Sequence, residues 1–159
     1  MSQLRVRHTA TLLAGGKVLV AGGTDGNGSG TKTAELYDPQ TGEFSSTGDM
    51  SMRRSAHTAT LLANGKVLIA GGIDPSGENT TKAEIYDPGT GTFSLTGSMT
   101  AARAGHTATL LATGRVLIAG GSEGATSEVY DPTTRSFALT GEPLSATRGS
   151  VNFLWLASC

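Results

Sequence analysis

The sequence predicts an all-β protein assembled from repeated four-stranded antiparallel units, and three observations predict it. First, a short apolar run closed by two glycines occurs three times, at residues 16–23, 65–72 and 114–121. Such a run reads as a buried strand with a sharp exit. Second, the markers around it recur at a fixed step. His8, His57 and His106 lie 49 residues apart, and Tyr37-Asp38-Pro39 returns at Tyr86-Asp87-Pro88 and at Tyr130-Asp131-Pro132. The repeat, rather than the whole chain, is then the folding unit. Third, charged residues make up only 16% of the 159 residues, whereas Gly (23 residues), Thr and Ser are plentiful. That balance suits short strands joined by tight turns and disfavours helices.

Each unit reads as four strands, taken here in the second copy. Strand a covers residues 57–62 and begins with small residues, Thr58-Ala59-Thr60, which suit a place where several sheets converge. Asn64-Gly65 predicts a two-residue hairpin, because both residues tolerate positive φ. Strand b, residues 66–70, is apolar on both faces and should be covered on both. Strand c is residues 83–86. Asp87-Pro88-Gly89-Thr90-Gly91 is turn chemistry, with Pro presetting one φ and the last Gly free to sit left-handed. Strand d, residues 92–96, carries Phe93, matched by Phe44 and Phe137 in the other units. Four antiparallel strands in about 50 residues match one blade of a β-propeller. The units span about 5–49, 54–98 and 103–142. A partial fourth unit, 148–159, starts with Arg148 in register with Arg5, Arg54 and Arg103, has Val151 in place of the His, and continues as an orphan strand a over residues 152–156.

These residues carry a family resemblance. Arg-x-x-His, an apolar strand ending in Gly-Gly, Glu-x-Tyr-Asp-Pro, an aromatic strand and Gly-x-Met together resemble the kelch repeat, over nearly the whole chain. The resemblance implies four-stranded propeller blades, five to seven in a closed ring. Phe44, Phe93 and Phe137 stand where kelch repeats typically have Trp, and the flavour is that of bacterial and fungal kelch proteins such as the galactose oxidase propeller. That enzyme's copper site maps onto no residue here, so its activity does not carry over. The resemblance leans towards a secreted or cell-surface setting. The expected fold is therefore all-β: three complete kelch-type blades plus an extra inner strand, an incomplete or oligomer-completed propeller.

Several residue sets invite a chemical reading. Three histidines could suit zinc or copper, but one His per unit at the same position is explained by the repeat itself, with the ring hydrogen-bonded within or between blades. Arg5, Arg54, Arg103 and Arg148 recur with Glu35, Glu84 and Glu128, which predicts ion pairs between neighbouring blades that hold the sheets in register. Asp25, Asn27 and Ser29 resemble the opening of a calcium loop, yet the twelfth position is Leu36 rather than Glu, and the second unit breaks the pattern. The b–c loops vary most in length and sequence. They place Asp25, Asn27, Asp74, Glu78, Asn79 and Glu123 on a candidate binding face.

Other function classes find little support. The formal net charge is −1 and no Lys/Arg run appears, unlike a nucleic-acid binder. No apolar stretch approaches the roughly 20 residues of a membrane span, and Met1 to Arg5 lack the apolar core of a signal peptide. The single cysteine, Cys159, allows no intrachain disulfide. There is no phosphate loop, and neither catalysis nor a cofactor is expected. The expected role is a scaffold binding a protein or small ligand through the b–c loop face. The alternatives are a fragment of a secreted kelch-containing enzyme or glycan-binding protein, and a self-assembling half-propeller. Partners are then a ligand on the loop face and either a second copy completing a six-bladed ring or the rest of a longer propeller.

Overall fold

The structure, a computed structural model, describes Met1, residues 3–121 and residues 126–140. The expected fourth unit, with Arg148 and the strand at 152–156, lies outside these residues, as do Glu123 and Cys159. Among the described residues, twelve strands form three four-stranded antiparallel sheets. Blade 1 holds β1 (Thr9–Leu12), β2 (Val18–Ala21), β3 (Ala34–Asp38) and β4 (Glu43–Ser46), in that spatial order. Blade 2 holds β5 (Thr58–Leu61), β6 (Val67–Ala70), β7 (Ala83–Asp87) and β8 (Thr92–Leu95). Blade 3 holds β9 (Thr107–Leu110), β10 (Val116–Ala119), β11 (Ser127–Asp131) and β12 (Ser136–Leu139). Register is conserved: Thr58 faces Ala70, Ile69 faces Glu84 and Tyr86 faces Phe93, with the same pairs in the other blades. Between sheets, the first strands approach each other, β1 against β5 and β5 against β9. This places the small Thr-Ala-Thr residues where space is tightest. The result is three consecutive propeller blades that do not close on themselves.

The turns follow local chemistry, with one correction to the two-residue hairpin. Leu62 N–H donates to the Lys66 carbonyl (2.8 Å) and Gly65 N–H to the Leu62 carbonyl (2.9 Å), so Ala63, Asn64 and Gly65 form a three-residue loop. Gly65 alone takes positive φ (+80°), and Asn64 stays right-handed. A right-handed turn closed by one left-handed glycine is the other favoured hairpin geometry. Between strands c and d, Gly91 is left-handed (φ 69°) as its sequence predicts, while Arg135 holds the same conformation in blade 3 (φ 57°). Strand a begins one residue later than expected because His57 is drawn into the preceding connection, described below.

The hydrophobic core sits between blades rather than within them, because each sheet is one layer thick and buries its faces against its neighbours. One cluster joins Leu13, Leu19, Ala21 and Met50 to Val67, Ile69 and Tyr86 of blade 2. The second repeats it one blade on, joining Leu62, Leu68, Ile85 and Met99 to Val116, Ile118 and Tyr130. All four residues of β6 are buried, as a strand covered on both faces should be, whereas in β10 only Val116 and Ile118, which face blade 2, are buried.

Candidate functional site

Two regions gather the polar residues: a set of buried joints between blades, and the loop edge built by the b–c connections.

At each joint an arginine is fully buried. Arg54 reaches into its own blade, where one guanidinium nitrogen donates to the carbonyls of Gly71 and Lys82, both at 2.9 Å, and the other meets Glu84 Oε1 at 2.7 Å. The other Glu84 oxygen accepts the Ser51 N–H at 2.8 Å. Arg5–Glu35 and Arg103–Glu128 repeat the pair at 3.2 Å each. The ion pairs thus form within a unit, not between neighbouring units as expected. The reason is the double glycine: β6 ends at Ala70, the Gly71 carbonyl turns out of the ladder, and the guanidinium satisfies it. What crosses between blades is the arginine's main chain. The Arg54 carbonyl accepts the Gly23 N–H (2.9 Å) and the Arg103 carbonyl that of Gly72 (2.7 Å). Gly22 and Gly71 must be glycine there, since a Cβ would collide with the next blade's arginine carbonyl and histidine ring.

The histidines complete the joints. His57 Nε2 is hydrogen-bonded to Thr9 Oγ1 of blade 1, and His106 Nε2 to Thr58 Oγ1 of blade 2, both at 2.9 Å. Burial, reinforced by the Arg54 charge, pushes the His57 pKa down to about 3, and burial beside Arg103 pushes His106 down to about 4. Both rings are therefore neutral at neutral pH, and their Nδ1 atoms make no hydrogen bond among the described residues. Each serves one joint, and among the described residues no three metal-ligating side chains come together. Farther out, Tyr86 OH bonds Thr47 Oγ1 and Tyr130 OH bonds Thr96 Oγ1, both at 2.8 Å. Sequence reasoning missed these threonine partners, although Thr9, Thr58, Thr47 and Thr96 recur at the same step as the histidines.

At the loop edge, Asp25 Oδ1 accepts the N–H groups of Asn27 and Ser29, both at 2.9 Å. Asp74 does the same for Ser76 (2.8 Å) and Glu78 (3.2 Å), and the Ser76 hydroxyl donates to it as well, holding its carboxyl below the usual range. The second loop lacks the calcium-like pattern yet adopts the same turn. The Asp-x-Asn-x-Ser sequence is thus accounted for as an aspartate-capped turn. Ser29 and Asp74 lie across a groove of about 350 Å³ between the two loops, which Arg7 and Arg53 also line. Neither guanidinium makes a hydrogen bond or ion pair among the described residues. Sequence reasoning passed over both, and a signal was present. At the position of Arg7 the other units have Ala56 and Gly105, and at that of Arg53 they have Leu4 and Ala102. Arg7 also holds a left-handed backbone (φ 57°), where its counterpart Gly105 is the easier residue.

Two segments, residues 5–51 and 54–100, match the Kelch motif, together more than half of the chain. The chain belongs to the kelch-repeat family, and its three sheets are blades of that family's β-propeller architecture. No curated protein matches the chain.

Proposed function

We propose that the protein is a binding scaffold, and that its loop-edge groove between blades 1 and 2 receives a carboxylate-bearing segment of a protein partner. The observation that carries this reading is the pair Arg7 and Arg53. Both depart from the repeat, both line one groove, and neither has a partner within the described chain. A guanidinium offers a planar fork that suits a carboxylate. The aspartate-capped turns on either side, around Asp25 and Asp74, hold the groove walls in fixed geometry, which lowers the ordering cost of binding. Asn27 and Glu78 stand exposed on these turns as contact residues. The blades supply rigidity and the loops supply selectivity.

The test is a fluorescence-anisotropy titration with a labelled hexaglutamate peptide, and a hexalysine peptide as control. Saturable, salt-sensitive binding of the acidic peptide is expected. Two exposed charge pairs at about 0.7 kcal/mol each make the Arg7→Ala/Arg53→Ala variant roughly tenfold weaker. Equal binding by that variant, or equal binding of both peptides, would overturn the proposal.

A further inference from the structure

The groove that Arg7 and Arg53 line also holds a carboxylate of its own. Asp74 lines it from the b–c loop of blade 2. The Ser76 N–H, the Ser76 hydroxyl and the Glu78 N–H all close on one oxygen, Oδ1, which leaves Oδ2 open to a ligand. The same hydrogen bonds hold the carboxyl below its usual range, so Asp74 is charged at neutral pH and fixed in place by its own turn. Among the described residues Asp74 makes no ion pair, and neither do Arg7 and Arg53. Charges of both signs therefore share one space without neutralising each other.

The wall around Asp74 departs from the repeat, as the arginines do. Blade 1 has Thr24-Asp25-Gly26 where blade 2 has Ile73-Asp74-Pro75. The acid is common to both loops, but the apolar flanks belong to blade 2, and Ile73 and Pro75 both line the groove. Pro75 is exposed and Ile73 half-buried. An apolar footing beside a carboxylate suits a lysine or arginine, whose methylene stem lies along apolar surface while its head meets the charge. Asp25 lacks that footing and does not line this groove.

We infer that the segment received by this groove carries a basic residue beside its acidic one: the carboxylate meets Arg7 and Arg53, and the basic head meets Asp74. The inference rests on the reading of the groove proposed above and adds to it the charge pattern of the partner. At about 350 Å³ the groove lies at the small end for a ligand site, so the two charges must be near neighbours along the partner chain. Asp74 then sets specificity, because it repels a run of acids and favours an acid with a base beside it.

The experiment is an anisotropy titration of two labelled peptides, hexaglutamate and a hexapeptide alternating glutamate and lysine, against wild type, Asp74→Asn and Asp25→Asn. Asparagine keeps Oδ1 as the acceptor of the turn and removes the charge. Asp25→Asn makes the same change of net charge in the same kind of turn outside the groove, so it controls for the long-range field. One exposed charge pair is worth about threefold in affinity. Asp74→Asn should therefore bind the alternating peptide about threefold more weakly and hexaglutamate about threefold more tightly, which changes the ratio of the two affinities by about tenfold. Asp25→Asn should leave that ratio unchanged. A ratio that Asp74→Asn does not move, or that Asp25→Asn moves as far, overturns the inference while the dependence of hexaglutamate binding on Arg7 and Arg53 stands. If Arg7→Ala/Arg53→Ala binds hexaglutamate as wild type does, the reading of the groove fails and this inference falls with it.

Discussion

Replacing Glu84 by Gln tests how the joints are held. Glu84 and Arg54 are both fully removed from solvent, and the carboxylate accepts from Arg54 on one oxygen and from the Ser51 N–H on the other. An amide keeps one acceptor and turns the other into a donor. Its NH2 must then face either the guanidinium or the Ser51 N–H, and the guanidinium is left buried without a counter-charge. Removing one partner of a buried pair costs about 3–5 kcal/mol. Because the Gly71 and Lys82 carbonyls still accept from Arg54, the lower end applies, about 3 kcal/mol. Against a total stability of about 5–15 kcal/mol that is a large fraction. With a urea slope of about 2 kcal/mol per molar, the unfolding midpoint should fall by about 1.5 M. Glu43→Gln, on the exposed strand β4, should leave it unchanged. The variant Arg54→Met/Glu84→Leu, which removes both charges, should recover much of the loss, since apolar replacement of a buried pair is often neutral. A midpoint shift below about 0.5 M for Glu84→Gln would refute the idea that this pair is a desolvated, mutually dependent unit.

Further predictions concern the same joints. His57 and His106 are held neutral in the fold, with pKa values of about 3 and about 4, but titrate near 6.5 once unfolded, so between these values the unfolded chain binds more protons. Their contribution is therefore complete above about pH 6.5 and is lost as the pH falls towards 4, at up to about 1.4 kcal/mol per pH unit for each ring. Thermal melts across this range should show the slope, and His57→Gln should roughly halve it. Gly71→Ala forces a Cβ onto the Arg103 carbonyl and the His106 ring, whereas Gly65→Ala meets open space at a similar positive φ. The second should cost about 1 kcal/mol of backbone strain and the first several, read as the difference between their urea midpoints. Tyr86→Phe removes the hydroxyl paired with Thr47 and should cost about 1 kcal/mol in the same assay.

Much of the fold was legible because a repeat states its pattern three times. The alternation of short strands, the double glycines and the Asp-Pro turns specify strands b, c and d to within a residue, since each is set by local apolar pattern and turn chemistry. The loop edge was legible as a place, because Asp25 and Asp74 mark where the units diverge. The arginine pair was not, because Arg7 and Arg53 look like ordinary surface charges until the fold brings residues from two connections to one groove.

The sequence by itself therefore determined the unit: four strands, their order, the left-handed glycines and the apolar faces. It did so because strand period, hairpin closure and φ preference are properties of a few adjacent residues. Only the tertiary structure decided how units engage. It sent the Arg54 guanidinium into its own blade and its carbonyl into the neighbouring one, and gave each buried histidine a threonine from the preceding blade. Those assignments depend on residues about 48 positions apart meeting across a seam, and no local rule fixes which side of the seam a long side chain will take.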